Sequence, residues 1–334
     1  MKKRIAILGD GGWGTALALV LLENRHKVTV WGPFPDYIEI IRKERENKLF
    51  LPGVTLPAEI SWTADRKAAV EKANLVVLAI PTKFFRSVAE SFSGLLPDSC
   101  CLLSVAKGLD QNSHKRMTQI AQDILGHGPV AALSGPSHAE EVARKIPTAV
   151  VVACEDQEYA NRLQDIFVSR FFRIYTSDDV AGVELGGALK NVIAIAVGVS
   201  DGIGFGDNTR AALITRGLTE ITRLGCALGA RSSTFTGLSG MGDLIVTCTS
   251  RLSRNRAVGE LLGQGESIGK ILDGMKQVAE GVWNCASART LAHEADVEVP
   301  ITEEVYAIIH EGKSPYDAVN SLIGREVKSE VGGH

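Results

Sequence analysis

Lys190 is the residue whose setting most invites chemistry. It lies in the segment Val183-Glu184-Leu185-Gly186-Gly187-Ala188-Leu189-Lys190-Asn191-Val192-Ile193-Ala194. At helical spacing Lys190 shares a face with Val183, Gly186, Gly187, Ile193, Ala194 and Val197. That face is apolar and built of small residues, so it should be buried. Burying an ammonium lowers its pKa unless an anion partners it. A lysine tuned in this way can give and take a proton. The competing reading is a lysine whose stem covers apolar surface while its head reaches water.

A second group of candidates follows. Asp243 ends the glycine run Gly237-Leu238-Ser239-Gly240-Met241-Gly242, where it can approach a ligand or pair with Lys190. Beyond it, Ser253 is a suitable N-cap for a helix starting at Arg254. A serine hydroxyl, free helix N–H groups and a guanidinium together suit a dianionic phosphate. A basic helix start facing solvent is the alternative.

Near the N-terminus, Gly9-Asp10-Gly11-Gly12-Trp13-Gly14 fits G-x-G-x-x-G. It directly follows an apolar strand and opens an amphipathic helix, which is the context a dinucleotide-binding loop requires. Gly9 would form the tight turn, Gly11 would admit a pyrophosphate, and Gly14 would let helix pack on strand. An acid that reads the ribose is expected about 20 residues on. The second strand instead ends Val30-Trp31-Gly32-Pro33, and the next acid is Asp36, with Arg42 and Lys43 beyond. This leaves NADP and NAD both open. Three loops that follow later strands should face the same cleft: Pro81-Thr82-Lys83, Ala106-Lys107-Gly108 and Ser134-Gly135-Pro136-Ser137-His138-Ala139. Lys107 suits a phosphate or a carbonyl oxygen, or is simply a solvated loop lysine. His138 sits at a helix start, which disfavours imidazolium, so it reads as structural.

These residues need elements to hold them. Short apolar runs at 4–8, 28–31, 75–80, 101–105, 130–133, 148–152 and 172–175 read as strands. Helical patterns lie between most of them, at 15–23, 36–46, 84–91, 113–125, 138–144 and 157–167. Alternation at this spacing predicts a parallel sheet with right-handed crossovers. After Ser177–Asp179 the pattern becomes helical, at 181–199, 209–227, 256–262, 268–272, 284–294 and 302–310, with glycine-rich loops at 202–206 and 237–242. The expected fold is α/β: a Rossmann-type, mostly parallel sheet over 1–178 and an all-helical, substrate-binding domain over 179–334.

Composition narrows the function. Of 334 residues, 36 are Lys or Arg and 39 are Asp or Glu, a net charge of −3. That balance argues against a nucleic-acid partner or a polybasic membrane surface. Values of 45% hydrophobic and 22% charged residues are those of a globular chain. Six cysteines without a C-x-x-C pair predict reduced thiols, no zinc site and a cytoplasmic setting. The apolar run Ile5–Leu8 is too short for a signal peptide, and no spanning helix is expected, the longest candidate being 192–199. The last eight residues read as a frayed tail.

At this point the motifs match a family. GDGGWGTALA, SGPSHA, GGALKNVIAIAVG, GLSGMGDL and TSRLSRNRAVG occur in the order found in bacterial soluble NAD(P)-dependent glycerol-3-phosphate dehydrogenases. The chain resembles that family over roughly residues 3–323. The resemblance implies NAD(H) or NADP(H) as cofactor, touched by Gly9, Gly11, Gly12, Trp13, Gly14, Pro33, Lys107, Ala139, Arg254, Val278 and Glu280. It implies Lys190 as the catalytic acid/base. It implies a small phosphorylated three-carbon substrate held by Lys107, Gly135, Ser137, Lys190, Asp243, Ser253, Arg254 and Asn255, no metal, and a homodimer. Pro33 stands where a basic or polar residue is expected, and His138 where an aromatic is. The implied reaction is reduction of dihydroxyacetone phosphate to sn-glycerol 3-phosphate for glycerophospholipid synthesis. The alternatives are a related β-hydroxyacid or 6-phosphogluconate-type dehydrogenase, and a dinucleotide-binding redox sensor without turnover.

Overall fold

The computed structural model describes residues 2–126, 128–275 and 277–326; the expected C-terminal tail lies outside the described residues. The apolar runs pair into one eight-stranded sheet. Its spatial order is Phe172–Ser177, Thr148–Ala153, Val130–Ser134, Cys101–Ser104, Leu75–Leu78, Arg4–Leu8, Lys27–Trp31 and Ser61–Thr63. Register places Leu8 between Trp31 and Leu78, so the tips of three strands meet at the glycine loop. One layer of apolar side chains covers each face. Ile7, Val30, Val77 and Leu103 point to one side, and Leu8, Trp31, Leu78 and Leu102 to the other. Burial on both faces is why these runs lack polar alternation.

One junction departs from the parallel expectation: Val130–Ser134 runs antiparallel to Thr148–Ala153. The link between them carries only the 5-residue helix Ala139–Ala143. At ~1.5 Å per residue that helix is about 7.5 Å long, too short to carry the chain back along a strand of ~16 Å. Because Thr148–Ala153 and Phe172–Ser177 are parallel to each other, both run against the rest. The chain therefore leaves the sheet at Ser177 on the side away from the glycine loop, and the next helix, Val180–Ile203, returns toward it.

That helix is the axis of the second half. The Asp179 carboxylate caps it by accepting from Gly182 N–H at 2.9 Å, and also accepts from Arg231 N–H and the Thr234 hydroxyl. It is long and apolar enough to cross a membrane by length and composition, longer than the run expected from sequence, but 89% of its most apolar window is buried inside the fold. Its neighbour Arg254–Gly263 packs unusually close. A Cβ on Gly198 or Gly202 would fall about 2 Å from the Arg256 or Glu260 carbonyl, and one on Gly259 would strike the Ile195 carbonyl. This glycine stripe draws the start of Arg254–Gly263 to the level of Lys190.

Two carboxylates, one of them buried, pin the halves together. Glu184 accepts from Thr118 N–H (2.9 Å), the Thr118 hydroxyl (2.6 Å) and Arg116 (2.7 Å). Glu280 accepts from Thr82 N–H (2.9 Å) and the Thr82 hydroxyl.

Several short elements escape sequence periodicity. The hairpin Glu46–Asn47/Leu51–Thr55, the edge strand Ser61–Thr63 and the helices Arg66–Val70, Ser232–Phe235, Asp243–Thr249 and Pro315–Ile323 are examples. The glycine run expected to be a loop is a π-helical turn, Leu238–Gly242, leading straight into Asp243–Thr249. The first glycine of the 202–206 stretch, Gly202, likewise belongs to the helix, which ends at Ile203. The 302–310 pattern divides into Pro300–Tyr306 and a π-helical turn, Ala307–Glu311.

Candidate active site

Lys190 points inward. It is 5% exposed, and its Nζ donates to Asp243 Oδ1 and to Thr247 Oγ1 at 2.9 Å. Asp243 is buried as the first residue of its helix, and its other oxygen accepts from Lys107 Nζ at 2.8 Å. One carboxylate thus bridges two lysines from opposite halves of the molecule. Burial pulls the Lys190 ammonium down to about 7; Asp243 opposes the shift and the Lys107 charge adds to it. The two ammonium groups hold the Asp243 carboxyl below the usual carboxylate range despite its burial. The reading in which the Lys190 head reaches water fails, because the small residues on its own helix let a second helix close over it. Gly186 shows this most directly: a Cβ there would meet the Ser239 carbonyl at 2.6 Å.

Lys107 is held at both ends. Its Nζ also donates to the Gly135 carbonyl (2.8 Å) and to Ser137 Oγ (3.4 Å). Its own carbonyl accepts from Asn191 (3.2 Å) and Asn284 (3.5 Å). Asn191 in turn accepts from Asn255 at 2.9 Å, and Asn255 accepts from Gly281 N–H at 2.9 Å. This chain of amides fixes the lysine loop, the Lys190 helix and the helix starting at Arg254 relative to one another.

Of the residues singled out from sequence, Lys190, Lys107, Asp243, Gly135 and Ser137 converge directly, and Asn255 joins them through Asn191. Ser253 is buried at the helix start, where its hydroxyl accepts from Arg256 N–H at 3.2 Å. Arg254 reaches away from this cluster. Its Nη1 donates to the Val278 carbonyl at 3.0 Å, beside Glu280. Arg256, in the same basic segment, is paired with Asp201 at 2.8 Å. His138 is the residue before the helix Ala139–Ala143. Its Nε2 is buried without a hydrogen-bond partner among the described residues, and burial and the two lysines hold it below the usual imidazole range. Sequence reasoning gave no role to Thr247, Asn191, Asn284 or Thr82. Thr247 was within reach, because it lies one helical turn after Asp243.

The glycine loop fits a dinucleotide. Gly9 has φ +122°, and a Cβ on it would meet the Ala79 carbonyl at 2.2 Å. Gly11 opens onto empty space, and no side chain caps the helix Gly12–Glu23 behind it. The first-turn N–H groups therefore keep no side-chain cap among the described residues, a setting that favours an anion. The hairpin missed in the sequence walls this loop: Asn47 Nδ2 donates to the Asp10 carbonyl (2.7 Å) and to Thr15 Oγ1 (2.8 Å), and the Phe50 carbonyl lies 2.5 Å from where a Cβ on Gly12 would be. Ala139 lines the same place, and Trp13 leaves its indole Nε1 buried without a partner among the described residues. Pro33 sits just past the end of Lys27–Trp31. Among the described residues no group of three or more His, Cys, Asp or Glu could hold a metal ion.

Comparison with known proteins agrees. The family descriptions "NAD-dependent glycerol-3-phosphate dehydrogenase N-terminus" and "C-terminus" match residues 4–160 and 179–320. The chain is 50% identical over 331 residues to glycerol-3-phosphate dehydrogenase (NAD(P)+) of Moorella thermoacetica, covering 99% of this chain and 98% of the relative. It is 49% identical over 332 residues to the protein so named in Geobacillus kaustophilus, covering 98% and 96%. A crystal structure of glycerol-3-phosphate dehydrogenase from Coxiella burnetii superposes with a TM-score of 0.93 at 39% identity, covering 97% and 99%. With a dinucleotide cradle at the glycine loop and a lysine from each half joined through Asp243, the chain belongs to the NAD-dependent glycerol-3-phosphate dehydrogenase family and is an NAD(P)-using oxidoreductase.

Proposed function

We propose that the chain catalyses reversible reduction of dihydroxyacetone phosphate to sn-glycerol 3-phosphate, with Lys190 as general acid/base. The supporting observation is the Lys190–Asp243–Lys107 bridge at the junction of the two halves. The bound nicotinamide supplies or accepts the hydride at carbon 2. Lys190 Nζ donates the proton that the carbon 2 oxygen needs as its negative charge develops, and takes it back in the reverse direction. Its charge, and that of Lys107, also stabilise that oxygen in a site with little water. Asp243 keeps both amines in place, and Ser137 with the Gly135 carbonyl orients Lys107 toward the substrate. The division near residue 178 then separates a nucleotide-holding half from a substrate-holding half. The resemblance further supports a cytoplasmic homodimer that feeds glycerophospholipid synthesis.

An amine titrating at about 7 gives opposite pH profiles in the two directions. Reduction needs the protonated form, so its kcat should fall as pH rises through about 7. Oxidation needs the neutral form, so its kcat should rise over the same interval and level off. Steady-state rates from roughly pH 6 to 9 in both directions test this; parallel profiles would remove Lys190 from proton transfer.

The helix start at Ser253 and the Arg254 guanidinium are proposed to hold the substrate phosphate. One charge-assisted hydrogen bond is worth about 1.5–3 kcal/mol. Arg254→Ala should therefore raise KM for dihydroxyacetone phosphate about 10- to 100-fold with kcat less affected. An unchanged KM takes Arg254 out of the phosphate site and leaves it with the Val278–Glu280 group it contacts in the structure.

A further inference from the structure

The second strand lacks an acid at its tip, but an acid from inside the glycine loop, Asp10, reaches that tip. Asp10 is 7% exposed, and its Oδ2 has no hydrogen-bond partner among the described residues. The carboxylate lies against the tip of the second strand: a Cβ on Gly32 would fall 2.5 Å from Oδ2 and 2.6 Å from Cγ. Gly32 thus leaves the space that the acid fills, and the two residues serve together the place where dinucleotide folds put a single acidic side chain. We propose that Asp10 is the residue that selects the cofactor, accepting a hydrogen bond from the adenosine ribose 2′-OH and repelling a 2′-phosphate, so that this chain prefers NAD(H) to NADP(H). This rests on the reading of the glycine loop as the dinucleotide site.

The surroundings argue the same way. Asn47 and Thr15 hold the Asp10 backbone, since both side chains reach toward its carbonyl and Asn47 Nδ2 donates to it at 2.7 Å. The carboxylate is therefore placed by its main chain and not by a partner of its own. Burial pushes the Tyr37 phenol up, and the nearby carboxylates of Asp10, Glu44 and Glu46 add to that shift. Two of the four cations on the adjoining segment face acids there: Arg42 is bonded to Glu39 at 2.6 Å and Lys48 to Glu44 at 2.8 Å. Pro33 adds neither a charge nor an N–H donor. Burial pushes the Asp10 carboxyl up to about 6, above its unfolded value of 3.8. Its ionisation at neutral pH consequently works against the folded state, as expected of a group kept for a ligand and not for stability.

Calorimetric titration of the cofactor-free protein with NADH and with NADPH tests the proposal without relying on turnover. The wild type should bind NADH at least tenfold more tightly than NADPH. In Asp10→Ala the ratio should collapse by at least tenfold, with NADH weakened and NADPH strengthened, while the Tm of the cofactor-free protein rises. Asp10→Asn, which keeps an acceptor oxygen but no charge, should hold NADH within a few-fold and gain NADPH. A ratio that stays put in both variants, with a Tm that falls, makes the carboxylate structural and overturns the proposal while leaving the loop as the dinucleotide site. Wild-type protein that binds neither nucleotide overturns the loop reading and this inference with it.

Discussion

Lys190→Ala should lower kcat for dihydroxyacetone phosphate about 10³- to 10⁴-fold while leaving a folded protein. General acid catalysis contributes about 10²–10⁴-fold, and losing a cationic stabiliser of the developing oxyanion adds to that. The fold should survive because the variant leaves no orphaned charge: Asp243 keeps Lys107 at 2.8 Å. Cofactor affinity should change little, since the glycine loop lies in the other half. The measurement is cofactor oxidation followed spectroscopically, with circular dichroism to confirm folding. Turnover near wild type in a folded variant would end the proposed mechanism. KM is the informative companion. If Lys190 acts chiefly in the transition state, kcat and kcat/KM fall together; a rise in KM alone would make it a binding residue.

Asp243→Asn should be the more destructive change to the molecule as a whole. Asp243 is the shared anion of two lysines and is 1% exposed. Removing one partner of a buried ion pair costs about 3–5 kcal/mol because the remaining charge is left uncompensated. Here two charges lose their partner, and the more deeply buried one, Lys190, is driven further toward its neutral form. Chemical denaturation at neutral pH should show a stability loss of about 3 kcal/mol or more. Residual activity should fall at least about 100-fold, with the acid limb of the oxidation profile displaced below pH 7, because the one group that raises the Lys190 pKa would be gone. The pairing can be isolated by combining Asp243→Asn with Lys190→Met. Removing both charges should restore part of the lost stability, giving a coupling energy of about 0.5–3 kcal/mol. Strict additivity, or a single-variant loss below about 1 kcal/mol, would show that the bridge is not an energetic unit.

Much of this architecture was legible beforehand, for physical reasons particular to each element. The strand Arg4–Leu8 and the helix Gln157–Phe167 have the bounds that their patterns predict, because a run covered on both faces and an amphipathic period are local signals. The cap at Ser253 was readable too, since a short polar side chain satisfying an N–H three residues on is a local event. The antiparallel junction was not, because sequence alternation says that two strands exist without saying how much helix is needed to turn the chain around. The hairpin Glu46–Asn47/Leu51–Thr55 was missed because two- and five-residue strands carry almost no periodicity; its value lies in what it touches, the glycine loop. The run Leu238–Gly242 read as a loop for its glycines, whereas those glycines permit close packing on Val180–Ile203.

The sequence alone determined that Lys190 sits on an apolar, small-residue face, that a glycine turn precedes a helix N-terminus, and that an acid follows a glycine run. Those are properties of neighbours along the chain. That Asp243 bridges Lys190 and Lys107, that Asn191, Asn284 and Asn255 tie Lys107 to the helical half, and that Asp10 fills the gap beside Gly32 were decided only by the tertiary structure. Each joins residues from separate elements, and the strength of a charge or hydrogen bond depends on distance and on exclusion of water, which packing supplies and residue order does not.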